Sequence, residues 1–385
     1  MHGAALLITF ALGRHHAVDV RSKGIHATHT KRSPQARATR SHAIGRSHMT
    51  QRRRLVGAIL GGVVLLAAAG GAYQAIATAR DVARFPMPGE RIDIGGRSLH
   101  LFCSGAGSPT VLLENGLGGV YPAWRLVQRQ LATFTRVCSY DRAGFGYSDG
   151  ADRDTRAALV ADDLARLIHA AKLAPPFVLV GWSAGGVYVR RFYRDHPDGV
   201  IGMVLVDSSH EQQRTRLAEP THRTANVRRA IAELNLCRAL SWAGIVRLAD
   251  VMDEMAAPLH IPPDVQAEFV AMENRTGYCA GDLKELVGFE ADIDQREPPA
   301  SLGDLPLVVI ERGRATTARD FAEPVDAARL AAFDRDWDAL QRELAGLSTR
   351  SSLRVATASG HAIPLQAPAT IVDAVRDIIA GRVGP

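Results

Sequence analysis

Hydrophobic and polar positions divide the chain into three regimes. Residues 1–54 hold no sustained apolar period, residues 55–79 are uncharged and mostly apolar, and from about residue 90 short apolar runs alternate with stretches of helical period. The runs at 91–94, 98–103, 110–114, 136–140, 177–180, 203–206, 307–310 and 353–356 have the length and side chains of strands. Gly95-Gly96 between the first two predicts an antiparallel hairpin. Later runs are apolar at consecutive positions, as strands buried on both faces are. Helical period appears at 155–172, where Leu159, Leu164, Leu167 and Ile168 share a face, and again at 333–347 and 369–379. Strand and helix in alternation predict an α/β fold, a mostly parallel sheet with helices on both faces. Residues 211–300 show only Pro-broken helical stretches. So long an interval predicts a helical cap inserted between a first core part (85–210) and a second (301–385).

The 25 residues at 55–79 make about 37 Å of helix, enough for a hydrocarbon core of about 30 Å. Arg52, Arg53 and Arg54 directly precede them, so the C-terminal side is expected to cross the membrane. A transmembrane anchor with an extracytoplasmic catalytic part is the first reading. The alternative is secretion after signal cleavage, for which Ala77-Thr78-Ala79 has the small-residue pattern. Residues 1–54 read as a basic disordered leader. Met49 stands just before the basic triplet and is the expected translation start, which would leave 1–48 untranslated.

Charge follows the same division. The net charge of +6 comes from the leader, where eleven Lys/Arg face the single acid Asp19; the remainder holds 35 basic against 39 acidic residues. The folded part therefore has no compositional case for nucleic-acid binding. Seven of the 14 His lie in residues 1–48 without ligand-like spacing, and none of the four Cys has the spacing of a metal site.

The chemistry gathers around a few residues. Val178-Leu179-Val180-Gly181-Trp182-Ser183-Ala184-Gly185-Gly186 is a strand running into Gly-x-Ser-x-Gly, and a helical pattern follows it. A serine at such a sharp turn presents its hydroxyl, and the glycines let strand and helix approach. Ser183 is the expected nucleophile. A serine needs a base, and His361, after the last strand pattern, stands in the right chain order; His100, His169 and His196 fall on a strand, a helix and a turn.

Together, Asn115-Gly116-Leu117-Gly118-Gly119, Asp141-Arg142-Ala143-Gly144-Phe145-Gly146-Tyr147-Ser148, the Ser183 turn and Gly360-His361 resemble the α/β-hydrolase fold superfamily over about residues 90–385. The resemblance implies an eight-stranded sheet, a Ser–acid–His triad and no cofactor. It also implies oxyanion donors at the backbone N–H groups of Leu117 and Ala184. Asp141 and Arg142 read as a structural pair beneath the nucleophile. The acid is open: many relatives carry it after the seventh strand, where this chain has Glu311-Arg312-Gly313-Arg314 and then Asp320, whereas Asp207 ends the sixth strand. Asp207 is preferred, with Glu311 and Asp320 as alternatives. The family's strand order would bring Cys103 near Cys138, and Cys237 and Cys279 both fall in the cap, so these two pairings are favoured.

The expected function is a membrane-anchored serine hydrolase acting on a small ester through an acyl enzyme. Aminopeptidase-like amide hydrolysis and a catalytically inactive binding protein are the alternatives. Cap acids such as Glu273 and Glu290 would serve the first alternative only if they faced the site.

Overall fold

The computed structural model describes residues 41–152, 154–217, 220–256, 262–294, 298–317 and 325–384. It opens with helix α1 (Ser41–Arg84), whose part from Arg52 onward is long and apolar enough to cross a membrane. Leu55, Val56, Ile59, Leu60, Val63, Val64, Leu65 and Leu66 are all exposed on it. The helix begins at Ser41, inside the segment read as a disordered leader. Helix propagation is cooperative, and no proline interrupts residues 41–54. Residues 1–40, which hold most of the stretch expected to be untranslated, lie outside the described residues.

Eight strands form one sheet: β1 (Glu90–Asp93), β2 (Ser98–Ser104), β3 (Thr110–Glu114), β4 (Arg136–Asp141), β5 (Phe177–Trp182), β6 (Val200–Val206), β7 (Leu307–Arg312) and β8 (Ser351–Ala356). Their spatial order is β1-β2-β4-β3-β5-β6-β7-β8. β2 pairs antiparallel with β1 and β4, and every later pairing is parallel. The expected hairpin and parallel sheet are both present.

Alternation within the strands builds two cores. Leu112, Leu179, Met203, Leu205, Leu307 and Val309 point to one face, where they meet Leu164, Leu167 and Phe192 of α3 (Ala157–Ala170) and α4 (Ala184–Asp195). Val111, Leu113, Val178, Val180, Val204, Val206, Val308 and Ile310 point to the other. There they meet Val127 and Leu131 of α2 (Arg125–Leu131) and Ile371, Val375 and Ile378 of α9 (Pro368–Ile379). Because both faces are buried, the strand sequences read as unbroken apolar runs.

Between β6 and β7 the described residues are helical: α5 (Pro220–Ser241), α6 (Pro263–Glu273), α7 (Tyr278–Asp292) and shorter turns between them. Helix α8 (Ala327–Ala345) follows β7. Disulfides join Cys103 to Cys138 and Cys237 to Cys279. The first pair are register partners on β2 and β4, and the second ties α5 to α7.

Candidate active site

Ser183 sits between β5 and α4 with φ 54° and ψ −120°. That left-handed conformation is strained for a residue with a Cβ. Backbone bonds hold it: Ser183 N–H donates to the Val206 carbonyl (3.0 Å), and Ser209 N–H donates to the Ser183 carbonyl (2.9 Å). The turn is thereby stitched to the end of β6, where Asp207 lies. One close approach demands glycine and a second leaves little room beyond it. A Cβ on Gly185 would stand 2.5 Å from the Glu114 carbonyl oxygen, and one on Gly116 would stand 3.2 Å from the Ser183 Cβ. The loop after β3 therefore lies directly against the serine. Ala184 is the first residue of α4, so its N–H has no carbonyl to bond within the helix.

His361 is seated from three sides. Its Nδ1 is 2.6 Å from Asp207 Oδ2. Its carbonyl accepts the Trp182 indole N–H at 2.8 Å, so the residue before Ser183 clips the histidine loop in place. Gly313 and Arg314 N–H donate to the Ser359 carbonyl (3.1 and 2.9 Å), and Gly360 N–H donates to the Gln366 side chain (2.9 Å).

Asp207 is fully buried and collects only donors. Oδ1 accepts the Trp337 indole N–H (2.8 Å) and the Arg312 N–H (3.2 Å), while Oδ2 faces His361 and Arg312 Nη1 (3.2 Å). Burial alone would push this carboxyl up. The Arg312 guanidinium, the His361 and Trp337 hydrogen bonds and the His361 charge reverse that and hold it well below the usual carboxylate range. Arg312 is fixed in turn by Asp334 (3.0 Å) and lies over the Trp337 ring, 4.9 Å from its centroid. Burial lowers the His361 pKa, and Arg312 lowers it further against the opposing pull of Asp207.

Of the two acids weighed from sequence that lie among the described residues, Asp207 reaches His361 and Glu311 does not. Glu311 is half-buried on β7, its carboxyl pushed up by burial, and Asp320 lies outside the described residues. Arg312, the last residue of β7, steadies this acid from the neighbouring strand.

Asp141 and Arg142 are both engaged structurally, as expected, but they do not bond each other. Asp141 Oδ2 is 2.7 Å from His100 Nδ1, and Asp141 Oδ1 accepts the Tyr121 N–H (2.8 Å). Arg142 turns the other way: Nη1 pairs with Glu114 (2.6 Å) and Nε with Glu285 of α7 (2.6 Å). It also donates to the Asn115 (3.0 Å) and Gly116 (2.6 Å) carbonyls. Adjacent strand-end residues point to opposite sides, so one cannot grip the other. From the insertion, Glu285 accepts the Gly118 N–H (2.7 Å) and Tyr278 Oη donates to the Gly118 carbonyl (3.0 Å). The loop bearing Leu117 is thus held from below by Arg142 and from above by α7. Sequence reasoning missed Glu285, Tyr278, Arg312 and Trp337. None of the four is marked by a local motif, since each acts through contacts between elements distant in the chain.

Glu273 and Asp282 of the insertion are buried near the same loop, and burial pushes their carboxyls up to about 8 and about 7. Glu290 is also buried. Among the described residues no group of three or more His, Cys, Asp or Glu is arranged to hold a metal ion.

A family model described as the alpha/beta hydrolase fold matches residues 109–241. An AB hydrolase superfamily protein from Gibberella zeae is 27% identical over 296 residues, 70% of this chain and 86% of that protein. A probable transporter from Hormonema carpetanum is 34% identical over 134 residues, 33% of this chain but only 19% of its own length. A solved structure of a thermophilic esterase from Thermogutta terrifontis aligns with a TM-score of 0.54 at 22% identity, covering 76% of this chain and 98% of the esterase. Sheet order, strained serine turn and these similarities agree: the chain has the α/β-hydrolase fold and is similar to proteins of that superfamily. That fold and those similarities support hydrolase activity.

Proposed function

We propose that the protein is a serine hydrolase that cleaves a small carboxylic ester through an acyl enzyme. Ser183 attacks the acyl carbon while His361 takes its proton at Nε2. Asp207 holds Nδ1–H and stabilises the imidazolium that forms. The backbone N–H groups of Leu117 and Ala184 receive the oxyanion, each worth about 2.7–4 kcal/mol at the transition state. Protonation of the leaving alcohol by His361 gives the acyl enzyme, and water activated by the same imidazole releases the acid. The lowered His361 pKa suits a base that must be neutral before it acts.

The observation that carries this reading is the seating of His361 between a buried carboxylate and the serine turn, with Nδ1 bonded to Asp207 and the backbone clipped by Trp182. Helix α1 serves as a membrane anchor, Arg52–Arg54 stay cytoplasmic, and the hydrolase lies on the far side. Residues 211–300 act as a cap over the site. Two disulfides accord with an oxidising compartment.

Amide hydrolysis of a cationic substrate is the second reading. Asp282 Oδ2 is buried with no hydrogen-bond partner among the described residues, and Oδ1 lies 3.1 Å from where a Gly118 Cβ would be. A substrate ammonium there would return the proton-bearing acids to their charged form.

Labelling with a fluorophosphonate probe tests the main reading: wild type should label and Ser183→Ala should not. Equal labelling of both, or none of the folded wild type, would sink it. Rates on p-nitrophenyl esters of graded acyl length, set against aminoacyl anilides, separate the two readings.

A further inference from the structure

The length of α1 and the place where it meets the insertion conflict unless part of the insertion touches the bilayer. Crossing a hydrocarbon core takes about 20 helical residues. Counted from Leu55, just past the Arg triplet, that run ends at Gln74. Yet α1 is already packed against the insertion from Gly70 onward. A Cβ on Gly70 would collide with the Ala243 carbonyl, and Gly71 abuts Trp242. Gly244 leaves room for the Tyr73 ring, and Gln74 Nε2 donates to the Asn274 carbonyl at 2.8 Å. Residues 70–74 account for about 6 Å of helix. The corner at residues 240–248 therefore overlaps the last turn of the span.

The side chains of that corner fit such a position. Trp242, Ile245 and Leu248 are 49%, 45% and 64% exposed. The one charged residue among 240–248, Arg247, is turned inward onto Asp81 (2.6 Å). Exposed Trp beside aliphatic side chains is the composition of a membrane–water boundary. The junction is also strapped. Tyr147 Oη donates to the Phe85 carbonyl (2.5 Å), and His100 Nε2 lies 2.6 Å from the Pro88 carbonyl. The corner cannot swing clear of the bilayer on a slack linker.

We propose that this corner is a second membrane-contacting surface, with Trp242, Ile245 and Leu248 seated at the headgroup–acyl boundary beside α1. The proposal rests on α1 being a span, and the experiment separates the two. All four native cysteines are in disulfides, so Leu248→Cys in the full chain supplies a single thiol for the fluorophore NBD. Asp373→Cys on α9, where the carboxylate is 61% exposed, is the control. The labelled proteins are reconstituted in phosphatidylcholine vesicles containing headgroup spin-labelled lipid. Expected is about two-fold quenching at position 248 and essentially none at 373. If 248 stays unquenched while the protein resists alkaline carbonate extraction, the span stands and the proposed contact is wrong. Release by carbonate removes the span and the proposal together. Efficient thiol cross-linking between two unlabelled Leu248→Cys copies in the vesicles would also overturn it, by giving the surface to a second copy of the chain.

Discussion

Asp207→Asn is the most informative single change, because the carboxylate of Asp207 is bonded by donors alone. Trp337 and the Arg312 N–H occupy one oxygen, and Arg312 Nη1 and His361 Nδ1 occupy the other. An amide must turn its NH2 toward one of these pairs. Keeping its oxygen on the two donors at Oδ1 sets N–H against His361 Nδ1, which then has to accept and shifts its proton to Nε2, the wrong tautomer for a base. The lost charge matters as well. A carboxylate 2.6 Å from the ring interacts with the imidazolium by about 6 kcal/mol at an effective dielectric of 20. Arg312 shares the same carboxylate, so we take about 4–5.5 kcal/mol as the part lost, which is about 10³–10⁴ in kcat. Steady-state hydrolysis of a p-nitrophenyl ester measures it, with Glu311→Gln as the companion variant expected within about threefold of wild type. Asp207→Asn within tenfold of wild type, or a collapse confined to Glu311→Gln, would refute the assignment.

Other consequences follow from the same contacts. Because burial and Arg312 lower the His361 pKa, the acid limb of kcat/KM should fall below the ordinary histidine value of about 6.5, activity being lost as pH drops through it. Arg312→Gln removes a cation that lowers that pKa, so a pH–rate profile should show the limb moved to higher pH. Glu285→Gln weakens the hold on the Leu117 loop and should lower kcat about 10–100-fold with KM little changed, by stopped-flow or steady-state assay. Replacing both Cys103 and Cys138 by Ser frees a crosslink spanning 35 residues and should cost about 2–4 kcal/mol in chemical denaturation at unchanged KM.

Much of the fold was legible because its signals are local. Strands buried on both faces need apolar side chains at successive positions, so β5 through β7 stand out from residue types alone. The Ser183 turn was legible because strain at one φ and close packing at Gly185 require particular residues in a fixed order. Chain order singled out His361 as the candidate base, and the fold brings its ring to Asp207. Sequence likewise exposed the length of the apolar helix, since transfer to lipid depends on composition.

The acid, the partners of Arg142 and the corner beside α1 depended on tertiary structure. Asp207 and Glu311 sit at the ends of neighbouring parallel strands, and only sheet register and the path of the 356–361 loop decide which one meets an imidazole. Arg142 could have paired with any of several carboxylates, and it chose Glu114 and Glu285 because α7 descends onto the loop after β3. Trp242, Ile245 and Leu248 look like ordinary surface residues until α1 is seen running past them. Sequence spacing constrains what is near along the chain, whereas a charge or an apolar patch acquires its role from whatever folding brings within a few ångströms.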